Sequence, residues 1–115
     1  MKQVFYVPDR GDVVRIASAS RGGRGAAGRR AAVVLSPQSY NARVGLALVC
    51  PVTSRVTGYP FEVPLPAGLP LTGAILADQA VSLDWRTHRA ERICALPSPA
   101  LDEVLGKLRS LLEPR

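Results

Sequence analysis

The sequence predicts an antiparallel, mainly β domain, a small barrel, carrying one α-helix at its C-terminus. Three observations predict it. Short apolar runs bounded by Gly and Pro follow one another from residue 12 to residue 96. No strand–helix–strand alternation interrupts them, so no parallel sheet is implied. Helical spacing is sustained only once, after Pro97. A chain of 115 residues with 47% apolar and 21% charged residues reads as a single domain, 1–115, able to bury a core without disulfide support.

Asp12-Val13-Val14-Arg15-Ile16-Ala17 reads as the first strand, with one charged outward position. Ser18 to Arg29 mixes Gly and Ser with arginines and has no periodicity, so it reads as a long loop. Arg30 to Ser36 is a second strand, apolar on both sides. Pro37 to Asn41 forms a short helical turn, with Ser36 as cap and Pro37 at the first position. Leu46 to Val52 is a third strand that turns polar at Thr53 and Ser54. Gly58-Tyr59-Pro60 is a turn, and Phe61 to Leu65 is a short strand limited by Pro64. Gly73 to Leu83 holds one or two further strands, and Ile93 to Leu96 a last one. Leu101, Val104, Leu105, Leu108, Leu111 and Leu112 make a continuous stripe on the final helix, capped by Ser98 with Pro99 at its first position. The stripe is expected to pack onto the barrel.

The charge is uneven. The formal net charge is +6, and only Lys2 and Lys107 of the 15 basic residues are lysines. Residues 1–30 hold seven basic and two acidic groups, whereas residues 31–115 are nearly balanced. An arginine-rich composition alone fits the codon habit of a GC-rich genome. That habit would load the whole chain, so the asymmetry points instead to a polyanionic partner. Arginine suits phosphate through its flat, multi-donor fork.

Other chemistries find little support. Cys50 and Cys94 lack metal or redox spacing; one disulfide is possible, and two reduced thiols in a cytoplasmic protein fit better. No apolar run is long enough to span a bilayer, and the N-terminal apolar stretch is too short for a signal peptide. With one histidine, His88, no two-histidine acid–base pair can form within the chain. No phosphate-binding Gly-Lys loop, nucleophile elbow or metal-ligand spacing occurs, so no cofactor is expected. Asp78 and Asp84, six apart, read as structural. Trp85 reads as core. Pattern alone gives a polyanion-binding β domain and stops there.

Four stretches carry a resemblance further. They are Tyr6-Val7-Pro8-Asp9-Arg10-Gly11-Asp12; Gly28-Arg29-Arg30-Ala31-Ala32-Val33-Val34-Leu35-Ser36-Pro37; Pro51-Val52-Thr53-Ser54 with Gly58-Tyr59-Pro60-Phe61-Glu62-Val63; and Leu76-Ala77-Asp78-Gln79 with Trp85-Arg86. In this order and at these spacings the chain resembles the MazF/PemK toxins, ribosome-independent endoribonucleases of toxin–antitoxin modules. The resemblance implies an SH3-like barrel with a C-terminal helix, working as a homodimer with a MazE-like antitoxin. It implies cleavage of single-stranded mRNA without metal by the RNA's own 2′-hydroxyl, leaving a 2′,3′-cyclic phosphate and a 5′-hydroxyl.

The resemblance also implies roles by position. Arg30 and Thr53 would be the catalytic pair. Arg24, Arg29, Ser54, Asp78, Gln79, Arg86 and His88 would contact RNA, with Asp78 and Gln79 reading base edges or else capping strand ends. Arg21, Arg24 and Arg29 would receive an acidic antitoxin tail. Two departures stand out. Ala31 replaces a frequent proline, and Gly25 stands where some members carry an acidic residue, leaving Ser54, His88 or water as proton acceptor. Two other readings use the same barrel: a non-catalytic, CcdB-like gyrase poison, and a nucleic-acid-binding module whose catalysis has decayed. Discrete RNA fragments formed in EDTA would separate them from the nuclease.

Overall fold

The computed structural model describes residues 6–17 and 29–114. Along the chain run β1 (Asp12–Ala17), β2 (Arg29–Val34), α1 (Gln38–Val44), β3 (Ala47–Thr53), β4 (Glu62–Pro64), β5 (Ala74–Leu76), β6 (Val81–Leu83), β7 (Glu91–Ala95) and α2 (Ser98–Leu112). The seven strands form a sheet in the order β4-β5-β3-β2-β1-β7, with β6 also on β3, and every pairing is antiparallel. The region Gly73 to Leu83 holds two strands, β5 and β6.

β3 organises the sheet. On one side it pairs with β2 through Ala32↔Pro51, Val33↔Cys50 and Val34↔Val49. On its other side it pairs first with β6, up to Val49↔Val81, and then with β5, from Val52↔Ile75. Cys50 and Pro51 lie at the change of partner. A proline in mid-strand would leave a ladder acceptor without its donor; at the changeover no second-side bond is needed. Alternation along β1, β2 and β3 sends side chains to two cores. Val13, Val33, Cys50, Val63 and Ile75 join Leu96, Ala100 and Val104 on one face. Val14, Ala32, Val34, Ala47, Val49 and Trp85 form the other.

Both helices differ from the expected caps. α1 begins at Gln38 with Pro37 in the capping position and no side-chain cap. Ser36 is engaged elsewhere: its hydroxyl donates to Asn41 Oδ1 (2.6 Å) and accepts from the Leu48 amide (2.8 Å). Fully buried Asn41 completes this joint by donating to the Pro8 and Ser36 carbonyls and accepting from Trp85 Nε1 at its own carbonyl. In α2, Ser98 is already helical and Pro97 holds the capping position, its carbonyl accepting from the Leu101 amide at 3.1 Å. The first part of the α2 stripe packs as expected: Val104 is buried, and Leu101, Leu105 and Leu108 lie against the first core. Leu111 and Leu112 run past the sheet and are exposed.

Arg29 starts β2 rather than ending the preceding loop. The rest of that loop, Ser18 to Gly28 with Arg21 and Arg24, lies outside the described residues. The thiols of Cys50 and Cys94 are free. Among the described residues no helix is long and apolar enough to cross a membrane.

The two ends of this packing gradient give a first expected outcome. Ile75→Ala removes a side chain with no exposed surface and should cost about 2–5 kcal/mol. Leu112→Ala, at a position 74% exposed, should change stability by less than about 0.5 kcal/mol. Chemical denaturation of the two variants beside the parent chain measures both; equal losses would contradict the assignment of the core.

Candidate active site

Arg30 and Thr53 come together just beyond the end of the β2–β3 ladder. Its pairs run from Val34↔Val49 to Ala32↔Pro51, and Arg30 and Thr53 each lie two residues further along their strands. Both residues face one groove. On its other side β2 pairs with β1, where Arg30 is opposite Ile16. The Arg30 side chain is exposed and makes no ion pair among the described residues.

The two side chains line an open groove of about 470 Å³. Ser54, Thr72 and Gln79 add polar groups to it, and Pro51, Leu71 and Leu76 supply apolar walls. A second hollow of about 330 Å³ shares Arg30, Pro51 and Gln79 and continues over apolar Ile16, Ala32, Val49, Val81 and Leu83. A third, of about 260 Å³, lies between Arg30, Arg15, Leu71 and Ile93. Arg30 therefore stands where all three meet. The described lining carries donors and hydroxyls but no carboxylate.

Each side chain is held from behind. Thr53 Oγ1 accepts the Arg55 amide at 3.0 Å, which leaves the hydroxyl hydrogen free to donate outwards. Gln79 rides on the link between β5 and β6, which turns through its amide bond to the Leu76 carbonyl (3.1 Å). That link crosses the place where β3 changes partner. Beyond Ser54, the buried Glu62 carboxylate gathers the chain by accepting from Thr57 N, Thr57 Oγ1 and Gly58 N. Tyr59 then donates to Asp78 Oδ2 at 2.7 Å, tying this loop to the Gln79 link.

The structure separates the expected RNA-contact residues into two groups. Ser54 and Gln79 line the groove with Arg30 and Thr53. Asp78 sits beside it, one carboxylate oxygen occupied by Tyr59 and the other buried. Arg86 and His88 lie elsewhere, on the turn between β6 and β7. Arg86 covers the Trp85 ring at 5.0 Å beside a cavity of about 550 Å³. His88 Nδ1 donates to the Asp84 carbonyl at 2.9 Å. Asp84 Oδ1 caps the same turn by accepting from Arg86 N and Thr87 N, and the Thr87 bonds hold its carboxyl below the usual range. Trp85 is core, as expected. Among the described residues no three His, Cys, Asp or Glu side chains gather as metal ligands.

Sequence reasoning missed the wall supplied by Leu71 and Thr72, and Gly73 behind it. A lone glycine before a three-residue strand carries no signal until the register shows what it touches.

The fold and groove define a small α+β protein whose site presents arginine, hydroxyl and amide donors to an anionic ligand. The family of PemK-like, MazF-like toxins of type II toxin–antitoxin systems matches residues 9–112, and the chain belongs to that family. The endoribonuclease toxin MazF of Escherichia coli K12 is 39% identical over 107 residues, covering 93% of this chain and 96% of that one. The endoribonuclease PemK of Escherichia coli is 29% identical over 110 residues, covering 90% and 81%. Among solved structures, a MazE–MazF crystal structure from Deinococcus radiodurans superposes with a TM-score of 0.87 at 53% identity, covering 93% of this chain and 97% of that one. A mycobacterial endoribonuclease at 17% identity and a TM-score of 0.75, covering 96% and 95%, shares the fold.

Glu62 gives a pH-dependent outcome. Burial is the largest single influence and pushes its carboxyl up, but the bonds from Thr57, Gly58 and Tyr59 together outweigh it and leave it lowered. A carboxyl lowered by folding contributes stability above its unfolded value, about 4.3, and loses it as pH falls through the folded value. The parent chain should therefore be more stable than Glu62→Gln at pH 7, with the gap closing below about pH 4. Denaturation midpoints across pH 3–8 check this; a constant gap would deny the carboxylate its role.

Proposed function

We propose that this chain is a sequence-specific, metal-independent and ribosome-independent endoribonuclease toxin acting on single-stranded mRNA. The observation that carries this is that Arg30, with no ion pair among the described residues, and Thr53, with its hydroxyl hydrogen free to donate, line one open groove. A family of toxins with relatives named endoribonucleases supports it.

In the proposed reaction the RNA 2′-oxygen attacks the adjacent phosphorus and the bond to the 5′-oxygen breaks. The products are a 2′,3′-cyclic phosphate and a 5′-hydroxyl. Negative charge builds on the non-bridging oxygens as attack proceeds. The Arg30 fork and the Thr53 hydroxyl, the latter held by the Arg55 amide, stabilise that charge more than the ground state. Arginine holds its proton too tightly to serve as base. The 2′-hydroxyl proton passes to water, directly or through the Ser54 hydroxyl, which hands its own proton on, and water returns one proton to the leaving 5′-oxygen. Gln79 reads an unstacked base by its amide, with the apolar hollow beside it receiving a base face.

The chain is read as one toxin domain, 1–115, working in the cytoplasm as a homodimer. A MazE-like antitoxin restrains it by laying an acidic segment along the arginines at 21, 24 and 29, in competition with phosphate. That contact is electrostatic, so inhibition should weaken as salt rises, and Arg21→Ala with Arg24→Ala should flatten the salt dependence.

Arg30→Ala should abolish cleavage and keep the fold, because an exposed strand-start position accepts alanine. Thr53→Val removes one donor at nearly constant shape and should slow cleavage on the order of 10²–10³-fold. Cleavage should continue in EDTA and yield cyclic phosphate ends. Gel analysis of a single-stranded RNA with end-group chemistry reads all three; 5′-phosphate ends or full activity without Arg30 would sink the mechanism.

A further inference from the structure

We infer that Gly73 is a positioning residue for the Thr53 hydroxyl: its missing side chain is the space that the Thr53 carbonyl occupies. The inference rests on the role proposed for Thr53. A Cβ at position 73 would stand 2.2 Å from Thr53 O, 3.1 Å from Thr53 C and 3.4 Å from Ser54 Cα. Ordinary contact begins near 3.4 Å, so something must give by about 1 Å.

The surroundings decide what gives. Gly73 cannot retreat easily, because its carbonyl accepts the Leu65 amide at 2.9 Å and its neighbour Ala74 is laddered on its far side to Pro64. Thr53 is the last residue of β3 and has only the turn to Arg55 beyond it. The displacement therefore falls on the Thr53–Ser54 peptide. The hydroxyl moves with it, because Thr53 Oγ1 is bonded into that turn and a β-branched side chain has little χ1 freedom to compensate.

Gly73 combines two demands for glycine, φ +128° and the collision, whereas Gly68 has only the first: its φ is +95° and a Cβ there would meet nothing within 4 Å. Gly68→Ala thus carries a strained φ without the collision.

The test compares Gly73→Ala, Gly68→Ala, Thr53→Val and the Gly73→Ala/Thr53→Val pair in the full chain. The readouts are melting temperature and single-turnover cleavage of a mixed-sequence single-stranded RNA over a range of chain concentrations. A misplacement of about 1 Å costs on the order of 10²-fold in rate. Gly73→Ala should therefore fold and lose about 10²-fold in maximal rate, with half-saturation changed less than about threefold. Gly68→Ala should melt lower and keep its rate. The double variant should be no slower than Thr53→Val alone, because the hydroxyl being displaced is already gone. Thr53→Ser should restore part of the rate of Gly73→Ala, since serine can turn its hydroxyl back. The inference is overturned by full activity of Gly73→Ala, by a loss that multiplies in full onto Thr53→Val, by no rescue from serine, or by a Gly73→Ala chain that does not fold where Gly68→Ala does. If Thr53→Val itself keeps full activity, the proposed role of Thr53 fails first.

Discussion

The β2–β3 ladder is the constraint on which the rest of the molecule depends. Val33, Val34, Val49 and Cys50 are fully or almost fully buried within it, so both faces of both strands are committed to cores. A slip of one residue would send the Val33 set into the core of the Val34 set and reverse every assignment. That cost locks the register, and Arg30 and Thr53 lie two residues beyond its last pair, Ala32↔Pro51. The groove is thus built at the open end of the part of the sheet least able to move.

β3 has a second task at Cys50 and Pro51, where its outer partner changes from β6 to β5. The link between those strands must cross the changeover, and it carries Asp78 and Gln79. Ala77 and Cys50 are buried together there, the Cys50 thiol lying 3.8 Å from the Ala77 carbonyl. Burial raises the Cys50 pKa to about 11, so this sulfur is packing material rather than a nucleophile. A local irregularity in pairing is what brings Gln79 into the groove that Arg30 and Thr53 line.

The charged groups divide by the work they do. Asp12, Asp84 and Glu62 are spent on tying chain to chain: Asp12 accepts from Tyr6, Asp84 closes its turn, and Glu62 gathers the loop after β3. With these carboxylates so engaged, the described walls of the groove hold no carboxylate to offset the charge of Arg30. Exposed ion pairs such as Arg15–Glu91 at 4.0 Å contribute little. An arginine with no ion pair among the described residues, at the meeting point of three hollows, is useful for binding an anion and of little use for folding.

Much of this protein could be read in one dimension. β1, β3 and the α2 stripe announce themselves through local periodicity, because burial of a face repeats at the period of the element that forms it. The residues around Arg30, Thr53 and Gln79 could be matched as short motifs, since each lies at or just beyond the end of a strand. The caps are not legible in this way: a hydroxyl near a helix start predicts Ser36 and Ser98 as caps, but Pro37 and Pro97 hold those positions. At Ser36 the tertiary partners Asn41 and Leu48 had already claimed that hydroxyl. Only the folded chain decided that Gln79 shares the groove while Arg86 and His88 do not, although all three follow β5 within a dozen residues. Sequence proximity fixes which residues are available. Strand register and the crossing of the β5–β6 link fix which of them meet, because those depend on burial summed over the whole sheet.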